Sequence, residues 1–295
     1  VVDVGYLWGP ENEDISITDN YFVGSLRFLQ PFDDVVFSEN TIVSQRPVSL
    51  TTPQDRVISD YEWDHNDGVS IGASGGFFGG STNNINWMWK RARGYFDAVA
   101  YTGTGSATSI SHNLGVVPEM MWVKARSHAV NWGVYHKDLS AGQYLILNKT
   151  NAVDTNSAYF TTTAPTSSVF SIGVGEYTNQ SSSHTYIAYL FATVAGVSKV
   201  GSYTGNGSSQ NIDCGFSSGA RFVLIKRSSN AGDWFVFDTT RGIVSGNDPY
   251  LKLSSTAAEA QADELDPLSS GFTVNQTGSA SINFDTHTYI FYVIA

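Results

Sequence analysis

His184-Thr185-Tyr186-Ile187-Ala188-Tyr189-Leu190-Phe191-Ala192 returns at the end of the chain as His287-Thr288-Tyr289-Ile290-Phe291-Tyr292-Val293-Ile294-Ala295. Each run is short, rich in β-branched and aromatic side chains and apolar on both faces, the pattern of a central strand covered on two sides. Working outward, Tyr101-Thr102-Gly103-Thr104-Gly105-Ser106 returns as Tyr203-Thr204-Gly205-Asn206-Gly207-Ser208, and Trp122-Val123-Lys124 as Leu224-Ile225-Lys226, both at an offset of 102 residues. The same offset carries Trp132 to Trp234 and Ile172 to Val274. Dispersed identity held in register over a whole segment marks a tandem array of one module.

A weaker copy lies in front. Leu50-Thr51-Thr52 running on to Asp67-Gly68-Val69-Ser70-Ile71 has the length of Leu253-Ser254-Ser255 running on to Ser270-Gly271-Phe272-Thr273-Val274, and a glycine-rich stretch then leads to Asn86-Trp87-Met88-Trp89. The organisation read from this is a divergent and partial β module over residues 1–93, then repeats over 94–196 and 197–295. Each repeat is long enough to bury a core of its own.

Other segments read as strands too. Arg221-Phe222-Val223-Leu224-Ile225-Lys226-Arg227 carries charges at its ends, where a strand leaves the core, and Trp234-Phe235-Val236-Phe237-Asp238 follows across the Ser/Asn/Gly turn at 228–232. The counterpart is Lys124, a polar turn through Arg126 and Ser127, and the run Asn131 to His136. Ser255-Thr256-Ala257-Ala258-Glu259-Ala260-Gln261-Ala262-Asp263 is the one stretch with helical character, from its alanines and its leading Ser. The fold class is all-β: tandem antiparallel β-sandwich modules of six to seven strands each.

Charged residues are 15% of the 295, against roughly a quarter in an ordinary globular chain, so Ser, Thr, Asn and Gln cover the surface. A net charge of −11 argues against nucleic acid, which needs a basic face. The one basic cluster, Lys90-Arg91-Ala92-Arg93, reads as a solvated linker. A single cysteine, Cys214, leaves no disulfide framework. No apolar run approaches the roughly 20 residues of a membrane helix, so no membrane insertion is expected. Without a signal peptide and opening on Val1, the chain reads as a processed or excerpted piece of something longer.

Against that background the residues lead to no expected catalytic, cofactor or metal site. Asp60-Tyr61-Glu62-Trp63-Asp64-His65-Asn66-Asp67-Gly68 loosely resembles a Ca²⁺ loop but lacks the distal bidentate Glu, which favours a solvated acidic turn. His184 and His287 recur at strand starts and read as structural. Cys214 stands where the preceding copy has Ser111-His112-Asn113, so it reads as a buried small side chain. Asp238, beside Trp234 and Arg241, is the best single acid for a cleft, but nothing supplies the second carboxylate of a glycosidase.

Seven Trp and fifteen Tyr invite a carbohydrate-binding reading, since aromatic faces stack on sugar rings. The recurring Trp132, Trp234, Tyr186 and Tyr289 are better read as core or strand-pairing residues. Receptor contacts are expected instead on loop tips that vary between copies. These are Asn179, Gln180 and Ser182 in the serine-rich loop, Asn247 and Asp248 in another, and Phe77 and Phe78 in the glycine-rich stretch from Gly75 to Asn84.

The Tyr-Thr-Gly-X-Gly-Ser start, the Leu114-Gly115-Val116-Val117-Pro118-Glu119-Met120-Met121-Trp122-Val123-Lys124 segment and the run from Trp234 to Gly242 together resemble a β-rich module of tail-fibre and other virion proteins. Those proteins belong to marine podovirus-like phages, including phages of cyanobacteria. The resemblance covers Tyr95 to Ala295; Cys214 to Gly219 departs from the Leu-Gly-Val-Val-Pro loop, and the front copy departs further. It implies a virion structural or adhesive role and no catalytic residues. The partners it implies are other virion proteins, a host-surface glycan or protein receptor, and further copies of the chain as a homotrimer. Trimerisation also hides sheet edges and apolar patches. A capsid decoration or spike protein, a secreted carbohydrate-binding module and a glycan depolymerase are the alternatives.

Overall fold

A strand apolar on both faces needs a neighbour on each edge and cover on each side, and the fold supplies both. In this computed structural model residues 85–275 and 282–295 are described in full, and ahead of them only the backbone of six short strands. The chain forms two compact units, Val1–Trp87 and Met88–Ala295.

In the first unit β1 (Ile15–Thr18) pairs with β4 (Val35–Ser38), β2 (Tyr21–Val23) with β5 (Thr41–Val43), and β3 (Arg27–Phe28) with β6 (Ser49–Leu50), each pair parallel. The antiparallel expectation therefore does not extend to these strands. The reason is legible in a short repeat: Asp14-Ile15-Ser16-Ile17-Thr18-Asp19-Asn20-Tyr21-Phe22-Val23 returns in type as Asp34-Val35-Val36-Phe37-Ser38-Glu39-Asn40-Thr41-Ile42-Val43, 20 residues on. That spacing sets like strands side by side, as in a coil of stacked turns. The acidic run Asp60–Gly68 and the loop bearing Phe77 and Phe78 lie outside the described residues.

The second unit is antiparallel throughout. Its first half contains β7 (Phe96–Thr102), β8 (Thr108–Ser111), β9 (Met120–Ala125), β10 (Gly133–His136), β11 (Gln143–Ile146), β12 (Asp154–Thr155), β13 (Val169–Ile172) and β14 (Thr185–Phe191). Its second half contains β15 (Ser198–Thr204), β16 (Gln210–Asp213), β17 (Phe222–Arg227), β18 (Trp234–Asp238), β19 (Asp248–Lys252), β20 (Ala260–Ala262), β21 (Leu265–Leu268), β22 (Gly271–Val274) and β23 (Thr288–Ile294). Six strands of the first half lie in the order β12-β11-β10-β9-β14-β7, and six of the second in the order β20-β19-β18-β17-β23-β15. Element by element these orders match. The ribbon β13-β8 faces the first large sheet and β16-β22-β21 faces the second.

No helix is present among the described residues. Ser255–Asp263 is a correction: its C-terminal part becomes the edge strand β20, because Asp248, Pro249 and Tyr250 offer a partner edge to Ala262, Gln261 and Ala260. Tertiary pairing overrides alanine's modest helix preference.

Side-chain alternation along β14 and β23 divides two interiors. Tyr186, Ala188 and Leu190 point into the first sandwich with Met121, Val123, Phe170 and Ile172. Tyr289, Phe291 and Val293 point into the second with Val223, Ile225, Phe235, Phe272 and Val274. The opposite faces of the large sheets are covered as well: Phe191, Met120, Trp122, Val134 and His136 in the first half, and Tyr292, Phe222, Leu224, Lys226, Trp234 and Val236 in the second, are buried. They meet each other. Phe191 packs on Tyr292 at 4.8 Å between ring centroids, and Trp89 inserts beside Trp122, Phe191 and Phe222. Main chain joins the halves too, through Val153 N–H to Ser228 O at 2.8 Å and Gly232 N–H to Thr150 O at 2.8 Å.

Candidate functional site

Two regions of the second unit carry the polar side chains that the sequence marks out. The first surrounds the Tyr-Thr-Gly start of each half. Tyr101 stacks on Tyr186 at 5.4 Å and donates from its hydroxyl to Thr178 O; Tyr203 stacks on Tyr289 at 4.9 Å and donates to Ile282 O. Asn179 accepts from Thr104 N–H at 2.6 Å and donates to Ser106 O at 2.6 Å. Asn283 accepts from Asn206 N–H at 3.2 Å and donates to Ser208 O. A side chain at Gly103 or Gly205 would collide with the carbonyl of Ser181 or Phe284, which is why glycine stands at both places. This is a loop clamp made twice.

The clamp corrects one expectation. Asn179 is wholly buried, an internal tie rather than a loop tip, because its amide satisfies backbone groups that no strand partner reaches. Asp248 is buried for the same reason, accepting from the backbone N–H groups of Val244, Glu264 and Leu265. Gln180, Ser182 and Asn247 are exposed. Asp238 closes a strand end: 4% exposed, it holds the Arg241 guanidinium at 2.7 Å and accepts from Arg241 N–H. Cys214 is buried, and burial pushes its thiol up to about 12. His184 stacks on His128 with centroids 3.9 Å apart, while His287 meets the Ser229 hydroxyl at 3.0 Å.

The second region is a lysine and a tryptophan, register partners on β17 and β18 in the second half and standing at the corresponding places, Lys124 on β9 and Trp132 just before β10, in the first. In the second half Lys226 and Trp234 face the first half. Lys226 has no exposure, which corrects its reading as a charge where a strand leaves the core, and burial lowers its ammonium to about 8. Its Nζ donates to Arg227 O at 2.6 Å and Thr150 O at 3.4 Å, and Trp234 Nε1–H donates to Ile146 O at 2.9 Å. Carbonyls of the segment from Ile146 to Thr150 thus lie on the pair.

The equivalents Lys124 and Trp132 stand half-buried. Trp132 meets the strand-pairing side of its expectation, its carbonyl accepting from Leu147 N–H at 3.1 Å as Trp234 O accepts from Leu253 N–H at 3.0 Å, while the 146–150 segment that covers Trp234 belongs to Trp132's own half. Lys124 Nζ lies 5.9 Å from the Trp132 ring centroid and donates to Val130 O at 2.5 Å; Trp132 lies 6.3 Å from Tyr189 with the rings 19° from parallel. Beside them opens a shallow groove of about 420 Å³ lined by Lys124, Ala129, Val130, Asn131 and Glu176. Glu176 was not singled out from the sequence, where one acid among loop residues carries no signal. Burial lowers the Lys124 ammonium below the ordinary lysine range.

Glu264 is the other group the sequence concealed. It is 1% exposed, its Oε2 has no hydrogen-bond partner, and burial, followed by the charges of Asp248 and Asp263, pushes its carboxyl up to about 7. Among the described residues no three His, Cys, Asp or Glu side chains are gathered as a metal would require, and no helix is long and apolar enough to cross a membrane. One family model, described as a domain of unknown function (DUF7483), matches residues 32–295. No curated protein and no solved structure matches the chain.

Proposed function

This chain belongs to the DUF7483 family, and for it we propose a structural and adhesive role on a phage particle, as part of a tail fibre or fibre-like appendage that attaches to the host surface. The observation that carries the reading is the packing of the two large sheets through their outer faces, with Phe191 on Tyr292 and Ile146 O on Trp234 Nε1. Two sandwiches joined by aromatic rings and main-chain hydrogen bonds make a stiff segment, since bending would break those contacts. A fibre needs that stiffness, together with an uncharged polar surface, and the resemblance of the Tyr-Thr-Gly and Trp-Phe-Val-Phe-Asp segments to virion modules points the same way.

The appendage is a homotrimer in this proposal. Light scattering on a size-exclusion column tests it: the expected native mass is three times the 32.0 kDa chain. A monomer at micromolar concentration contradicts a self-assembling fibre.

A further inference from the structure

Ser127-His128 in the first half and Ser229-Asn230 in the second stand in corresponding turns, and each turn meets the histidine that precedes a central strand, His184 or His287. The serine acts alike in both: its hydroxyl accepts from Thr185 N–H at 3.0 Å and from Thr288 N–H at 3.0 Å. The next residue differs. In the second half the His287 ring has the Ser229 hydroxyl at 3.0 Å, and position 230 is an asparagine. In the first half His128 lies against His184 with centroids 3.9 Å apart and planes at 30°, and the Ser127 hydroxyl lies 3.3 Å from His128 Nδ1. His128 Nε2 and His184 Nδ1 are buried without a hydrogen-bond partner.

Two neutral imidazoles stack readily, whereas two imidazolium rings at this separation repel strongly away from bulk water. Lys124 on β9 adds to the repulsion on His128, and Glu176 in the β13–β14 loop opposes it. Tyr186 on β14 stands edge-on to His128 at 6.0 Å and is kept neutral by its burial. Burial, then the charges of His184 and Lys124, lowers His128 below the ordinary imidazole value. The stacked form thus binds protons less tightly than an opened one. Its advantage is complete above about pH 6.5 and is lost as pH falls below that.

The stack holds a loop clamp in place. His184 O accepts from Gly103 N–H at 2.8 Å and His184 N–H donates to Ser181 O at 3.1 Å, in the loop whose Asn179 ties Thr104 and Ser106. Arg126 N–H donates to Thr185 O at 2.7 Å, so the turn carrying His128 is fastened to the start of the same strand. We propose that the His128–His184 stack is an acid-opened latch: protonation of both rings drives the 126–130 turn and the 178–184 loop apart and lets water reach the clamp. The second half, with Asn230 in place of the first ring, stays closed.

The test is hydrogen exchange of the full chain, read by mass spectrometry at about pH 7.5 and about pH 5, on either side of imidazole titration. Peptides covering 126–130 and 178–186 are compared with their counterparts at 228–232 and 282–289, so that the chemical effect of pH on exchange cancels. The first-half segments are expected to gain at least about tenfold in exchange rate relative to their counterparts on going to the lower pH. His128→Asn, which installs the residue found at position 230, is expected to abolish that gain. A ratio that does not change with pH overturns the latch, and so does a gain that His128→Asn leaves in place. Should the variant fail to fold, the ratio in the unaltered chain decides alone.

Discussion

Trp132, just before β10, and Trp234, the first residue of β18, stand at corresponding places in two sheets of matching strand order, yet Trp234 is 1% exposed with its indole N–H on Ile146 O and Trp132 is half-buried. The difference lies in what covers them. The 146–150 segment of the first half lies over Lys226 and Trp234.

The consequence for stability is direct. Trp234→Ala is expected to cost about 3–5 kcal/mol in chemical denaturation, as deletion of a buried ring leaves a cavity between the halves. Trp132→Ala is expected to cost about 1 kcal/mol, since part of its surface already meets water. Equal costs would mean that the two positions are covered alike.

The asparagine clamps make a paired prediction. Asn179→Ala and Asn283→Ala each leave a backbone N–H and a backbone carbonyl without their partners and are expected to cost about 2–4 kcal/mol apiece. The two clamps share no residue, so the double variant is expected to equal the sum within about 0.5 kcal/mol. A cost near zero for either would show that water replaces the amide.

Much of this was legible and some was not, for reasons that the residues make plain. Alternation and composition in Tyr186–Phe191 and Tyr289–Ile294 mark central strands, and the recurrence of Tyr101–Ser106 at Tyr203–Ser208 marks corresponding turns. Lys226 was hidden because a lysine at a strand end looks solvated until another sheet is laid across it. Asn179 and Asp248 were hidden because Asn and Asp in serine- and glycine-rich loops read as tips, and burial there depends on which backbone groups lack partners. The 20-residue spacing that sets β1 beside β4 and β2 beside β5 is carried by residue type more than by identity, and so lies hidden behind the 102-residue repeat.

Glu264 gives a pH dependence of definite sign. Its folded pKa is raised to about 7 from 4.5, so the folded chain binds the proton more tightly than the unfolded one. Its contribution is fully present below pH 4.5 and is lost as pH rises to 7, the charges acting on it being those of Asp248, Asp263 and, in the opposite sense, Lys252. Glu264→Gln should therefore stabilise the chain at pH 8 by up to about 3 kcal/mol relative to its effect at pH 4. An effect independent of pH in denaturation curves would contradict the buried, unpartnered carboxyl.

Cys214 is expected to resist thiol reagents. Buried, with its thiol pushed up to about 12, it should react with a maleimide or a disulfide reagent at least a hundredfold more slowly in the folded chain than in denaturant, on the order expected from its small thiolate fraction and its burial. Labelling at the unfolded rate would show that the β16–β22 edge opens readily.

A role on the virion requires that the protein be found there. Virus particles purified from the source that encodes this chain should yield its peptides by mass spectrometry, and antibody against residues 88–295 should carry gold label to an appendage in electron micrographs. Particles free of the chain, with the protein recovered instead from the culture fluid or from cells, would contradict a role on the virion.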